Sequence, residues 1–364
     1  MNVVAAQGAD LLKALTDLAP SLAENAGRQD RSGEYAFESL AELTDAGLLM
    51  APIPVEFGGY GMHATADAEQ LFRLLHLLGY ADLSQGRIFE AHVNALELIR
   101  LYGTARQMEL AARAAQAGDL FALWVTDPAK QGVRLAGDLI LTGEKWFCSA
   151  AGVARRALIT AQTEAGTRML LVDTTAGARV TDRGVRLAGM RGAITASVDF
   201  TGAAVDESAL IGEPGDYLRE PAFSTGAWRS SAVALGGLAA LIDTARDELC
   251  ARGRAGNPFQ RMRFGQSVIA HETGRLWLLE AVKRVDFASP GEAVAYVNLA
   301  RTAVETACLD AIRHVQRSLG LSAFMQGSRA ERIGRDLATY LRQPAPDDVL
   351  VEAADYFMHH GIGS

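Results

Sequence analysis

The sequence predicts an α+β protein with a helical N-terminal third, a central β third and a C-terminal third of long helices. Apolar residues recur at helical spacing from about Asp10 to Gly118 and again from Trp228 onward, while short apolar runs of strand length alternate with glycine-containing turns between them. At 49% hydrophobic and 21% charged residues, with glycine and proline scattered, the composition is that of a folded globular chain. Its 364 residues exceed one ordinary core, so two or three packed domains that can enclose a cofactor are expected.

The first domain is read as residues 1–118. Leu71, Leu74, Leu75 and Leu78, then Val93, Leu96 and Ile99, mark its helices. Ala51 to Gly61 interrupts them with two prolines and three glycines and reads as a loop. Residues 119–217 form the β domain, with strands expected at Ala157 to Thr160, Met169 to Val172 and Ser197 to Phe200. Residues 218–364 carry periods such as Val233, Leu238, Leu241, Ala245 and Leu249, and Val297, Ala300, Val304, Ala311, Val315 and Leu319, long enough to make a bundle. Segment order alone leaves an unrelated α+β protein open.

A formal net charge of -8 argues against a sequence-independent grip on nucleic acid, which requires a basic surface. Cys148, Cys250 and Cys308 are widely spaced and form no CxxC pair or Cys/His cluster, so neither a disulfide framework nor a metal site is expected, and a reducing cytoplasm fits. No signal segment opens the chain, and no stretch of about 18 apolar residues suggests a membrane span.

Ordered motifs narrow the reading. Leu123-Trp124-Val125-Thr126-Asp127-Pro128, Leu141-Thr142-Gly143-Glu144-Lys145-Trp146-Phe147-Cys148-Ser149, Gly189-Met190-Arg191-Gly192, Leu210-Ile211-Gly212-Glu213-Pro214-Gly215, Arg261-Met262-Arg263-Phe264-Gly265 and Arg335-Asp336 follow one another along the chain. So does the early loop Ile53-Pro54-Val55-Glu56-Phe57-Gly58-Gly59-Tyr60-Gly61. Together they resemble the acyl-CoA dehydrogenase family. The resemblance implies a β-barrel-like central domain, a C-terminal four-helix bundle, bound FAD, an acyl thioester substrate, and a homodimer or homotetramer. The electron acceptor stays open between an electron-transfer flavoprotein and oxygen.

By the same resemblance, Trp124, Val125 and Thr126 lie at the isoalloxazine edge, Ser149 near N5, and Phe147 where relatives carry tryptophan, which keeps an aromatic surface without an indole N–H. Arg261 and Phe264 would reach the pyrophosphate and adenine of a neighbouring subunit's FAD. Gln316 and Gly320 would approach that flavin from the end of a long helix, although Leu319-Gly320-Leu321-Ser322-Ala323 keeps one glycine where relatives have several. Glu272 replaces a common glutamine and needs Arg261 or Arg275 to offset its charge.

Desaturation of an acyl thioester needs a base at the α-carbon. The family's usual glutamate position falls on Pro344, and its second known position on Trp228, beside Arg229. Asp347 and Asp348 are the nearest carboxylates in sequence, although an acidic helix start explains them equally. Alternatively, the flavin monooxygenase or oxidase branch needs no such glutamate. Glu90, His92 and Asn94 could then line a polar pocket, although spacing of two turns His92 roughly 200° from Glu90 around a helix. A non-catalytic flavin- or acyl-binding protein is the third reading. The candidate catalytic set is Asp347, Asp348, Arg229 and His92.

Overall fold

The computed structural model describes residues 3–63, 68–181 and 185–362. Five helices come first: α1 (Val3–Ser32), α2 (Phe37–Asp45), α3 (Ala68–Ala81), α4 (Leu83–Tyr102) and α5 (Ala105–Gln116). Side-chain caps set two of the starts. Asp82 accepts from Ser84 N at 2.8 Å to open α4, and Thr104 and Gln107 form a reciprocal capping box at α5. The proline and glycine segment after α2 holds two short 3-10 turns, Leu48–Met50 and Val55–Phe57. Gly59 is required there, because a Cβ would lie 2.2 Å from the Ile53 carbonyl oxygen.

The middle of the chain is β: β1 (Phe121–Trp124), β2 (Arg134–Leu135), β3 (Leu141–Thr142), β4 (Glu144–Cys148), β5 (Arg156–Thr163), β6 (Gly166–Asp173), β7 (Arg179–Thr181), β8 (Ala196–Asp199) and β9 (Leu210–Ile211). One sheet runs β3-β2-β5-β6-β9, with β1 parallel to β5, and the other runs β4-β8-β7. The three apolar runs expected to be strands are β5, β6 and β8. Ala157, Leu158 and Ile159 of β5 are all buried, because helix α4 and the rest of the core cover the sheet.

Helices return with α6 (Ala222–Thr225), α7 (Trp228–Ala251), α8 (Pro258–Phe287), α9 (Pro290–Leu319), α10 (Arg329–Tyr340) and α11 (Pro346–His360). Asn257 and Ser289 cap α8 and α9, each followed by a proline whose missing N–H costs nothing in a first turn. Leu235, Leu238 and Leu241 of α7 pack with Leu278 and Val282 of α8 and with Val297, Ala300 and Val304 of α9. The architecture is therefore helical, then sheet, then helical, and α3 and α4 lean directly on α7.

Candidate active site

Two of the sequence motifs turn out to dock on each other. Met190 N donates to Asp336 Oδ1 at 2.6 Å, Arg335 donates to the Ala188 carbonyl at 2.7 Å, and the same guanidinium pairs with Asp30 of α1 at 2.8 Å. This joint ties the β region to α10 and α1. Burial pushes the Asp336 carboxyl up to about 6 from 3.8, against the opposing pull of the Met190 N–H, Arg332 and Arg335. A raised folded pKa makes its contribution complete below pH 3.8 and lost as pH rises through about 6. That two-unit shift corresponds to up to about 3 kcal/mol. Asp336→Asn should therefore flatten the pH dependence of denaturant-derived stability between about pH 4 and pH 7. Parallel curves for the two proteins would show that this carboxyl titrates normally.

The residues expected at a flavin edge cluster where β1 and β4 meet. The Trp146 backbone N–H donates to the Thr126 carbonyl at 2.9 Å, which sets the segment after β1 beside β4. A register shift between Lys145 and Cys148 marks a bulge in β4, with Phe147 at φ 53 and its side chain 48% exposed. A left-handed backbone at a bulky residue is costly, and here it turns an aromatic ring outward. Thr126 is exposed and Val125 half-buried beside it. Trp124 faces the other way: it is buried, and its indole donates to the Ser149 carbonyl at 2.8 Å, so it braces the strand pair. Ser149 is itself buried. Beneath them Lys145, wholly buried, donates to Asp127 at 2.6 Å, to Thr160 at 2.9 Å and to the Val125 carbonyl at 3.4 Å. Lys145 is thus the clamp on the Val125-Thr126 segment, and the sequence reading had assigned it no role.

A cavity of roughly 300 Å³ adjoins β1 at Leu123 and is walled by α4, α6, α7, α9 and by Gln343, Pro344, Ala345 and Val349. Its polar wall includes Glu90, Asn94, Glu97, Arg229, Asn298 and Arg301. Glu90 accepts from Arg87 and from Asn94. Glu97 is chelated by Arg100 at 2.7 and 3.0 Å. Burial alone would raise Glu97, but the Arg100 hydrogen bonds and the charges of Arg229 and Arg100 outweigh it and hold the carboxyl below its usual range. Arg229 donates to Asn94 Oδ1 at 2.9 Å and lies 3.8 Å from Glu97. Arg301 donates to the Pro344 carbonyl at 2.5 Å. Pro344, on which the resemblance expects the usual base, thus offers a backbone acceptor to an arginine and no titratable group.

Helical geometry separates Glu90 and Asn94, which reach the cavity, from His92, which does not. His92 is fully buried: Nε2 donates to the Leu49 carbonyl at 2.9 Å and Nδ1 accepts from Phe121 N at 3.1 Å. Burial pushes its pKa down to about 4. The neutral ring pins α4 to β1 and to the early loop, so its place is structural. Asp347 and Asp348 are exposed in the first turn of α11, off the cavity wall, where the helix dipole favours them.

The other expected cofactor residues gather at one end of the bundle, where Gln260 of α8 reaches the Ser318 carbonyl of α9 at 3.4 Å. Arg261 is exposed there and donates to the Ala255 carbonyl, Phe264 packs against the core, and Gln316 accepts through its carbonyl from the N–H of Gly320, whose φ is 64. Glu272, farther along α8, is offset by Arg275 through contacts of 2.5 and 2.8 Å. Asn298 and Arg301 were missed in the sequence, although a polar pair three residues apart among Ala295, Val297, Ala300 and Val304 is a readable interruption of an apolar helix face.

Comparison with known proteins agrees with this layout. The family model described as "Acyl-CoA dehydrogenase, N-terminal domain" matches residues 13–117. A 3-sulfinopropanoyl-CoA desulfinase of Variovorax paradoxus is 26% identical over 245 residues, which cover 62% of this chain but 59% of that protein's length. The crystal structure of butyryl-CoA dehydrogenase from Megasphaera elsdenii superposes with a TM-score of 0.86 at 19% identity, covering 98% of this chain and 99% of that one. Dibenzothiophene monooxygenase from Paenibacillus sp. A11-2 superposes at 0.84 and 19%, covering 96% and 97%. Residues 13–117 are thus similar to an acyl-CoA dehydrogenase N-terminal domain, and the chain as a whole shares the fold of butyryl-CoA dehydrogenase and dibenzothiophene monooxygenase.

Proposed function

We propose that the chain is an FAD-dependent oxidoreductase of the acyl-CoA dehydrogenase type, and that its substrate is oxidised in the cavity beside β1. The adjacency of that cavity, through Leu123, to the segment bearing Val125, Thr126 and Phe147 carries the reading. The residues fit a flavin: an outward aromatic ring on a bulged strand supplies a surface, exposed Thr126 supplies a hydroxyl, and the buried Trp146 indole N–H has no hydrogen-bond partner among the described residues. When bound, the flavin would supply a two-electron acceptor. The chain's own part is to hold that ring with Thr126 and Phe147, to fix the segment with Lys145, and to orient substrate with the arginines and amides of the cavity wall.

For the reaction, the butyryl-CoA dehydrogenase likeness suggests α,β-dehydrogenation of an acyl thioester. One specific feature favours oxygenation as a second reading: both cavity carboxylates, Glu90 and Glu97, are engaged by guanidiniums, and Pro344 and Trp228 occupy the family's base positions. Anaerobic mixing of flavin-loaded protein with short acyl-CoA thioesters should bleach the flavin absorbance if dehydrogenation is the activity. Product formation only with a separate reductase and oxygen would establish oxygenation instead, and neither response would leave a binding protein.

We also infer a homo-oligomer in which Arg261, Phe264, Gln316 and Gly320 serve a second subunit's cofactor. Met262, Ile269 and Leu276, seven residues apart on α8, are each more than half exposed and form one apolar stripe. A monomeric mass by light scattering would end that part of the reading.

A further inference from the structure

We propose that the cavity recognises its substrate by an oxyanion, a carboxylate or a sulfur oxyacid, received by Arg229 of α7 and by Asn298 and Arg301 of α9. This rests on the reading of the cavity as the substrate site and names the chemistry that site selects. Glu97 already accepts two bonds from Arg100, and at 3.8 Å it gives Arg229 only a loose counter-charge. Arg229 is nevertheless 9% exposed, and its Nε has no hydrogen-bond partner among the described residues. Burial pulls its pKa down, as expected of a cation whose compensation is incomplete.

From α9, Asn298 is 2% exposed and its Nδ2 has no hydrogen-bond partner among the described residues. A buried amide without an acceptor is uncommon in folded proteins, and it marks a place where something else accepts. Arg301 lies one turn on, with one nitrogen bonded to the Pro344 carbonyl. The carboxylates and the Asn94 oxygen on the wall are already engaged: Glu90 by Arg87 and Asn94, Glu97 by Arg100, and Asn94 Oδ1 by Arg229. Arg87, Arg100, Arg229 and Arg301 stand around Glu90 and Glu97, and Glu305, the further carboxylate near Arg301, is paired with Arg342, so positive charge is in excess there. Leu98, Leu101, Leu123 and Phe223 complete the wall with apolar surface. A short apolar body ending in an anion satisfies both halves, and a plain alkyl chain leaves the donors unpaired.

The test is calorimetric binding to flavin-loaded protein of three acyl-CoA thioesters of matched length: one ending in methyl, one in carboxylate and one in sulfinate. At least one anionic thioester should bind about tenfold tighter than the alkyl thioester, the scale of a charge-assisted pairing. Asn298→Leu and Arg301→Gln should each reduce that ratio to about two, with flavin absorbance per protomer unchanged. A preference between carboxylate and sulfinate identifies the source of the oxyanion. Equal or weaker binding of both anionic thioesters in the unsubstituted protein overturns the proposal. Inability of the protein to take up FAD overturns the flavin reading instead, and the binding ratio can still be measured without turnover.

Discussion

Lys145→Met should lower the unfolding free energy by about 3 kcal/mol and weaken flavin uptake in the protein that remains folded. The ammonium is wholly buried and donates to Asp127, Thr160 and the Val125 carbonyl. Methionine fills a similar volume but donates nothing, so buried Thr160 loses its charged partner and the Val125 carbonyl loses a donor. Asp127 is one-third exposed and recovers hydration, which places the loss at the lower end of what removing one member of a buried pair costs. Because Lys145 clamps the segment that presents Thr126, the effect reaches the site. Denaturant titration measures the first part and FAD titration the second. Unchanged FAD affinity in the folded variant would show that the segment holds its position without the clamp.

Gly236→Ala is expected to cost about 3 kcal/mol, against the roughly 1 kcal/mol that alanine gains over glycine in an exposed helix. At position 236 a Cβ would stand 1.9 Å from the His76 carbonyl oxygen and 2.8 Å from Tyr80 N, backbone atoms of α3 that no rotamer change can move away. Gly79 meets Val233 on the same crossing, its own added Cβ falling 2.1 Å from that carbonyl oxygen. The two helices must separate or tilt, and α7 carries Arg229 while α3 leads through Asp82 into α4, so the cavity should loosen too. Gly265→Ala on α8 is the control, since nothing lies within 4 Å of the added carbon, and it should be neutral or stabilising. Equal effects of the two substitutions in thermal unfolding would mean that α3 and α7 are not in backbone contact.

Much of the fold was legible because it rests on local patterns. The apolar periods of α7 and α9, the prolines that open α8 and α9, and the short apolar runs of β5 and β6 are written in neighbouring residues. The placement of Glu90 and Asn94 together and of His92 apart follows from the helix turn alone. Partnership was not legible in that way. His92 looked like a candidate for chemistry because nothing near it in sequence predicts that the Leu49 carbonyl and Phe121 N–H close on both ring nitrogens. Asp347 and Asp348 were nearest the vacant base position in sequence, but two prolines turn the chain so that both start α11 in solvent.

By itself, then, the sequence determined the succession of helical, sheet and helical segments and the ordered motifs along it, since each is a property of residue type and short-range spacing. Only the tertiary structure decided that Gly189-Met190 locks onto Arg335-Asp336, that Lys145 is a buried clamp, and that Arg229, Asn298 and Arg301 converge with their donors in excess over acceptors. Burial and long-range pairing set those properties, and both depend on residues 15 to 147 positions apart being brought within hydrogen-bond reach.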